Sequence, residues 1–191
     1  MSATLYAEPL LPPADYAALL RALNFAAHKH RDQRRKGNHK APYINHPIEV
    51  ATLLTTYGGI TDVAVLQAAI LHDTIEDTDA TAEELEREFG ADVTSLVLEM
   101  TDDMSMPSPE RKRHQAARAP GLTSRAKCIK LADKIANVAD IGDQPPPDWS
   151  LERRRTYFAW TAEVIKGCRG SNEGLERRYD EVLNEARRIT G

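Results

Sequence analysis

His72 and Asp73 stand side by side in the run Ile-Leu-His-Asp-Thr-Ile-Glu-Asp-Thr at 70–78. Neighbours on a helix lie about 100° apart around its axis, so an imidazole and a carboxylate in adjacent positions converge only on a point beside the helix flank. A divalent metal ion is the usual reason to put them there. Asp73 also falls in a segment that is otherwise apolar, and an unpaired buried carboxylate is costly. Asp133 raises the same problem in Lys-Leu-Ala-Asp-Lys-Ile-Ala-Asn at 130–137, and His46 stands at a helix start, held by Pro47. Together they offer two imidazoles and two carboxylates from three separate segments. Such mixed nitrogen and oxygen ligation suits manganese, iron, zinc or a similar ion, with positions left for water. Each residue also has a structural reading. His46 would be a helix cap, Asp133 an ion-pair partner of Lys130 or Lys134, and His72-Asp73 a core hydrogen bond. One metal ion accounts for all four at once.

Glu76 and Asp77 follow one helical turn after His72 and Asp73 and extend the same face. Carboxylates crowded in this way repel one another unless a cation is present. A carboxylate beside a metal-activated water is also placed to take or give protons. The alternative, a solvated helix end, fits Asp79 only. Upstream of His46 lies Arg34-Arg35-Lys36, and Lys112, Arg113, Lys130 and Lys134 could add positive charge. Charge runs usually mark solvated surface. Here cations are set beside an acidic metal site, which fits a substrate with several phosphates.

The elements that must position these residues all read as helix. Apolar residues Tyr16, Leu19, Leu20, Leu23 and Ala27 share one face of a helix over 15–34. A loop over 37–43 follows, and a helix starts at His46-Pro47 and stops at Gly58-Gly59. Thr61 or Asp62 caps a third helix over 63–75, apolar enough to be buried in the middle of the domain. Thr81 to Glu84 form a capping box, and Gly90 ends the short helix after it. Val93, Leu96, Val97 and Met100 mark another amphipathic helix. A polar stretch at 102–109 then leads into a basic segment at 110–118. A long helix spans 124–141, and after three prolines two last helices cover about 151–166 and 171–189. No strand alternation, repeat or low-complexity tract interrupts the pattern. The expectation is a single all-α domain over 1–191.

The chain has 191 residues, enough for one substantial core. Its net charge of −4 gives no general attraction to nucleic acid or anionic membranes. No apolar run approaches the roughly 18 residues of a membrane span, and the N-terminus lacks the pattern of a secretory signal. Cys128 and Cys168 are too few for a disulfide framework, so a reducing, cytoplasmic setting is expected.

At this point the motifs resemble a known family. Arg-Lys, Tyr-Ile-Asn-His-Pro, Leu-His-Asp-Thr-Ile-Glu-Asp-Thr and Lys-Leu-Ala-Asp-Lys-Ile-Ala-Asn, in that order, look like the HD-type hydrolase domain of the Rel/SpoT enzymes. The nearest form is the stand-alone small alarmone hydrolase, or metazoan-type SpoT homologue. Thr-Asp-Asp at 101–103, Glu-Arg-Lys-Arg at 110–113, Tyr-Phe-Ala-Trp at 157–160 and Val-Ile-Lys-Gly at 164–167 extend the likeness from about Asn24 to the C-terminus.

The resemblance implies a compact multi-helix HD-domain bundle, with His46, His72, Asp73 and Asp133 binding one Mn²⁺ ion. Glu76 and Asp77 would move protons and position the attacking water. Arg35 and Lys36 would hold phosphates, with Lys134 adding charge. Tyr43 would stack near the guanine, Asn137 would contact the nucleotide and Tyr157 would line the pocket. The implied reaction removes the 3′-pyrophosphate of guanosine tetra- or pentaphosphate (ppGpp or pppGpp), giving GDP or GTP and pyrophosphate. The length leaves no room for a synthetase domain, so hydrolysis alone is expected, and the oligomeric state stays open. The family commonly has Arg two residues after the Asn, where this chain has Ala139. That departure keeps in view a phosphatase acting on another nucleotide, such as the 2′-phosphate of NADPH. A third alternative, a catalytically silent nucleotide-binding module, would require loss of a ligand or of Glu76-Asp77, and all are present.

Overall fold

Two largely buried helices, Val63–Leu71 and Ser124–Asp143, organise the molecule. The computed structural model describes residues 12–37 and 40–190. The order is α1 (Pro13–Lys29), α2 (Asn45–Thr56), α3 (Val63–Leu71), α4 (Thr74–Asp77), α5 (Ala82–Phe89), α6 (Ala91–Met100), α7 (Ser108–Arg118), a 3₁₀ turn (Ala119–Gly121), α8 (Ser124–Asp143), α9 (Leu151–Lys166) and α10 (Glu173–Thr190). The described residues contain no strand, only an isolated bridge between Arg34 and Pro42. The reading of the N-terminus as lacking a signal concerns residues 1–11, which lie outside the described range.

Val65 to Leu71 of α3 are all buried, because α1, α2, α6 and α8 surround the helix. Helix α8 is held between α2, α9 and α10, and buries Ile129, Leu131, Ala132, Ile135, Ala136 and Val138. Each fully buried Leu or Ile side chain contributes about 1.5–3 kcal/mol. This apolar surround sustains the few charged groups enclosed within it. Local chemistry sets where these helices begin. The Asp62 carboxylate accepts from the backbone N–H of Ala64 at 3.0 Å, and Thr123 Oγ1 accepts from Ala126 N at 3.2 Å. Gly90, at φ +84°, turns the chain between α5 and α6 where a side chain would be strained.

Two boundaries depart from the sequence reading, and both lie at the site. Helix α1 stops at Lys29 rather than near Arg34. Residues 28–36 carry no apolar side chain to bury, so nothing tertiary supports further turns. Instead the chain doubles back, with Arg35 N donating to Ala41 O at 2.9 Å and Tyr43 N to Gln33 O at 3.1 Å. This narrow loop brings Arg35 and Tyr43 over the end of the bundle. The second departure is a break at the His-Asp pair, where one helix was expected through Ile75. Asp73 sits at φ −99°, ψ 0°, between α3 and α4. Nearby carbonyls accept from side chains, Ala69 O from His72 Nδ1 at 2.7 Å and Leu71 O from Thr74 Oγ1 at 2.6 Å. The kink turns both side chains of the pair inward.

Candidate metal centre and active site

The first turn of α2, the kink after α3 and the middle of α8 meet at one point. There the ligand atoms of His46, His72 and Asp133 all lie within 4.8 Å of one another. His46 Nε2 is 3.3 Å from Asp133 Oδ1. Asp73 joins them through Oδ2, which is 3.0 Å from His72 Nε2 and 3.7 Å from His46 Nε2. Both imidazoles are buried. His46 caps nothing, since Ile44 is the residue before α2 and no side chain caps that end. Asp133 does pair with Lys134, at 2.9 Å, so the structural reading of Asp133 holds alongside the metal reading.

The donor set fits a divalent cation. His72 Nδ1 faces the Ala69 carbonyl and so carries a proton, which in the neutral ring leaves the lone pair on Nε2. That Nε2 is buried without a hydrogen-bond partner and faces a carboxylate oxygen. A lone pair and a carboxylate this close repel unless positive charge lies between them. The local field shows the same demand. Burial disfavours the His72 imidazolium, but the adjacent Asp73 and the nearby Asp133 outweigh it and push the ring up to about 9. Burial opposes ionisation of Asp73 too, yet His72 holds it well below the usual carboxylate range. Lys134, then the two imidazoles, do the same for Asp133 against its own burial. His46 moves the other way, pushed down chiefly by burial and so kept neutral, as a ligand must be.

These groups open into a cavity of about 310 Å³ with two unlike walls. One carries the ligand set with Glu76 and Asp77; the other carries Lys36, Arg111, Lys112, Lys130 and Lys134. Glu76 is half-buried, and burial, opposed by the hydrogen bond from Asp102 N at 3.0 Å and aided by Asp73, pushes its carboxyl up to about 7. That is the value of a group able both to take and to return a proton near neutrality. Asp77 is exposed and accepts from Gln33 Nε2 at 2.8 Å. Asp79 is exposed and paired with Lys29 at 3.0 Å, as a helix-end residue should be.

The other expected site residues also reach this region, with partners of their own. Tyr43 OH donates to Asp73 Oδ2 at 2.5 Å, so it holds a ligand carboxylate as well as lining the cavity. Asn137 Nδ2 donates to Asp133 Oδ1 at 2.5 Å. Arg35 does not line this cavity. Its guanidinium donates to Asp140 Oδ2 from Nε at 2.9 Å and to Asn137 Oδ1 at 3.2 Å, and it faces an adjoining cavity of about 290 Å³. Lys36, Tyr43, Asp77, Asn137 and Tyr157 line both spaces. Ala139, two residues beyond Asn137, points about 200° away around the helix. It packs against the core and lines neither cavity.

Several contributors escaped the sequence reading. Asp102, Arg111, Gln115 and Trp160 all line the larger cavity. Trp160 Nε1 donates to Lys112 O at 2.9 Å, and the Lys112 and Lys134 ammoniums lie 5.0 and 4.9 Å from its ring centre. The Glu-Arg-Lys-Arg motif at 110–113 was the available signal for α7. Thr-Asp-Asp at 101–103 and Tyr-Phe-Ala-Trp at 157–160 were the same kind of signal for Asp102 and Trp160, and Gln115 had none.

An all-helical bundle whose adjacent His-Asp pair meets a second His and a distant Asp is the architecture of HD-domain proteins. Residues 22–158 match the HD domain, and the chain belongs to that family. Its similarities are narrower still. It is 53% identical over 170 residues to guanosine-3′,5′-bis(diphosphate) 3′-pyrophosphohydrolase MESH1 of Xenopus tropicalis, covering 89% of this chain and 95% of that protein. With MESH1 of Homo sapiens it shares 53% identity over 172 residues, 90% and 96% of the two chains. A solved structure of a metazoan ortholog of SpoT that hydrolyzes ppGpp matches with a TM-score of 0.86 at 46% identity, covering 91% of this chain and 96% of that one.

Proposed function

We propose that this protein hydrolyses ppGpp and pppGpp at the 3′ position, releasing pyrophosphate and GDP or GTP. One observation carries the reading: a two-His, two-Asp cluster, with all but Asp73 buried, and a wall of cations open into one cavity. The relatives named for this activity cover nearly the whole chain. Neither the NADPH phosphatase nor the silent module is favoured by those relatives.

His46, His72, Asp73 and Asp133 are assigned as ligands of one divalent cation, Mn²⁺ in our reading. Bound there, such a cation polarises a phosphoryl oxygen and lowers the pKa of water. Glu76 takes the proton of the attacking water, whose oxygen bonds to the phosphorus on the 3′ oxygen. The phosphorus–O3′ bond breaks, the 3′ oxygen takes up a proton, and Glu76 is the group placed to return it. Asp77 positions the water, and Tyr43 keeps the Asp73 carboxylate in place. Lys36 and Lys134 stabilise charge building on the departing pyrophosphate. Arg35, ordered by Asp140, binds the 5′ phosphates from the adjoining cavity, where Tyr43, Asn137 and Tyr157 contact the nucleoside.

The described residues share one core cluster, and we read 1–191 as a single HD-type domain. No helix among the described residues is long and apolar enough to cross a membrane. Cys128 and Cys168 are free and buried, which supports a cytoplasmic setting. The partner is a small nucleotide rather than nucleic acid, because the cations line a cavity instead of an open face.

A hydrolysis panel tests the assignment: ppGpp, pppGpp, NADPH and nucleoside monophosphates, each with Mn²⁺, Mg²⁺ or Zn²⁺. The expected outcome is turnover of the two guanosine polyphosphates, fastest with Mn²⁺. Faster turnover of NADPH or of a monophosphate would remove the substrate assignment.

A further inference from the structure

Of the cations that line the metal cavity, Lys130 alone is buried without an ion pair. It is 6% exposed, yet its ammonium has a single hydrogen bond among the described residues, 3.5 Å to Met100 O, and no ion pair. Lys134, one turn on along α8 and equally buried, is paired with Asp133 at 2.9 Å. Arg35 has Asp140. A buried ammonium without a counter-charge is costly, and burial, with Lys134 adding to it, pushes Lys130 below the ordinary lysine range. Asp102, the carboxylate on the cavity wall nearest α7, is taken by the Gln115 amide at Oδ2, while its Oδ1 is buried and unpartnered. Asp133 and, more weakly, Asp102 attract Lys130 without reaching ion-pair distance.

The surroundings of Lys130 show what would supply the missing charge. It lines the metal cavity, as do Arg111 and Lys112 of α7, but not the adjoining cavity that holds Arg34, Arg35 and Trp149. The two cavities therefore carry unlike sets of cations, with Lys36 alone shared between them. Those buried beside the metal ligands have only one member without a strong partner.

We infer that Lys130 is a binding residue for the leaving group: its ammonium, with Arg111 and Lys112, forms a pyrophosphate subsite on the 3′ side of the metal centre. This rests on the reading given under Proposed function and adds an orientation to it. The 3′-pyrophosphate lies along α7 and α8, the nucleoside with its 5′ phosphates lies toward Arg34 and Arg35, and Lys36, which lines both cavities, stands between them. The competing role for Lys130 is structural, capping the last carbonyl of α6 through Met100.

The test uses Lys130→Met, which keeps the length and removes a buried charge, with inorganic pyrophosphate, orthophosphate and GDP as inhibitors of ppGpp hydrolysis at constant free Mn²⁺. The pyrophosphate inhibition constant should rise about tenfold or more, the loss of one charge-assisted hydrogen bond. The GDP constant should change by less than about twofold. Lys130→Arg should recover part of the pyrophosphate effect. Unchanged pyrophosphate inhibition, or an equal rise for GDP, overturns the subsite. Unchanged inhibition with a lowered Tm assigns Lys130 to the α6 cap. A second readout needs no variant: the Lys130 side-chain ¹⁵N resonance of the wild type should shift on adding pyrophosphate and not on adding GDP, and a silent resonance overturns the inference. Absence of ppGpp turnover in the wild type is a separate failure, of the substrate assignment itself.

Discussion

The two walls of the cavity are built in opposite ways. The metal wall takes His46, His72, Asp73 and Asp133 from α2, the α3–α4 kink and α8, all anchored in the core. Its groups are fixed by neighbours: His72 by the Ala69 carbonyl, Asp73 by Tyr43, Asp133 by Lys134 and Asn137. The cationic wall takes two buried members, Lys130 and Lys134, from α8, and the rest from α7, which buries no residue of its own, and from the exposed Lys36. One wall is preorganised. Of the other, Lys134 is fixed by Asp133, but the α7 part is held mainly at its edges, by Trp160 on the Lys112 carbonyl and by Arg118 on the Thr101 carbonyl at 3.1 Å. A divalent ion demands fixed ligand geometry, whereas an extended polyphosphate is gripped by charge and tolerates longer, looser side chains.

That contrast orders the expected effects of mutation. Removing a metal ligand should cost most. Asp73→Ala or His46→Ala should weaken Mn²⁺ binding by more than about a hundredfold, beyond the range for outer-sphere partners, and hydrolysis should vanish with it. Near-normal turnover with Mn²⁺ added would dissolve the distinction between the walls. Glu76→Gln should keep the metal and lower kcat by about a hundred- to ten-thousandfold. In the wild type the ionised Glu76 is the active base, so kcat should fall as pH drops through about 7, the value to which burial raises this carboxyl. The acid limb should disappear in Glu76→Gln; its persistence there would assign the limb to another group.

Effects on the cationic wall should be smaller and should appear in KM. Lys36→Ala, at an exposed position, should raise KM for ppGpp about tenfold with Mn²⁺ affinity unchanged. A loss of metal instead would mean that the walls are not independent. Least affected should be Ala139→Arg. It faces the core and away from both cavities, so it should lower Tm through overpacking while the ratio of kcat/KM for ppGpp to that for NADPH stays within about twofold. A large change in that ratio would restore position 139 to the site.

The same contrast explains what the sequence made legible. Asp73 and Asp133 were visible because carboxylates on oily helices contradict their surroundings. His46 was visible because Pro47 marks a helix start. The kink at Asp73 was not, since nothing in the local sequence separates a continuous helix from one whose carbonyls are taken by His72 and Thr74 side chains. Lys36 and Arg35 were found as a charge run, but the pairing of Arg35 with Asp140 crosses 105 residues of sequence. Asp102, Gln115 and Trp160 lie on helices or loops whose inward faces only tertiary packing defines. The doubt attached to Ala139 came from a family pattern, and the geometry of α8 removes it from the cavity.

The central claim is that water attacks the phosphorus on the 3′ oxygen of a guanosine polyphosphate, assisted by Glu76 in the metal cavity. Hydrolysis of ppGpp in H₂¹⁸O with Mn²⁺, followed by mass analysis of both products, measures this directly. The expected result is one ¹⁸O atom per turnover in pyrophosphate and none in GDP. Label in GDP, or release of labelled orthophosphate in place of pyrophosphate, would contradict it.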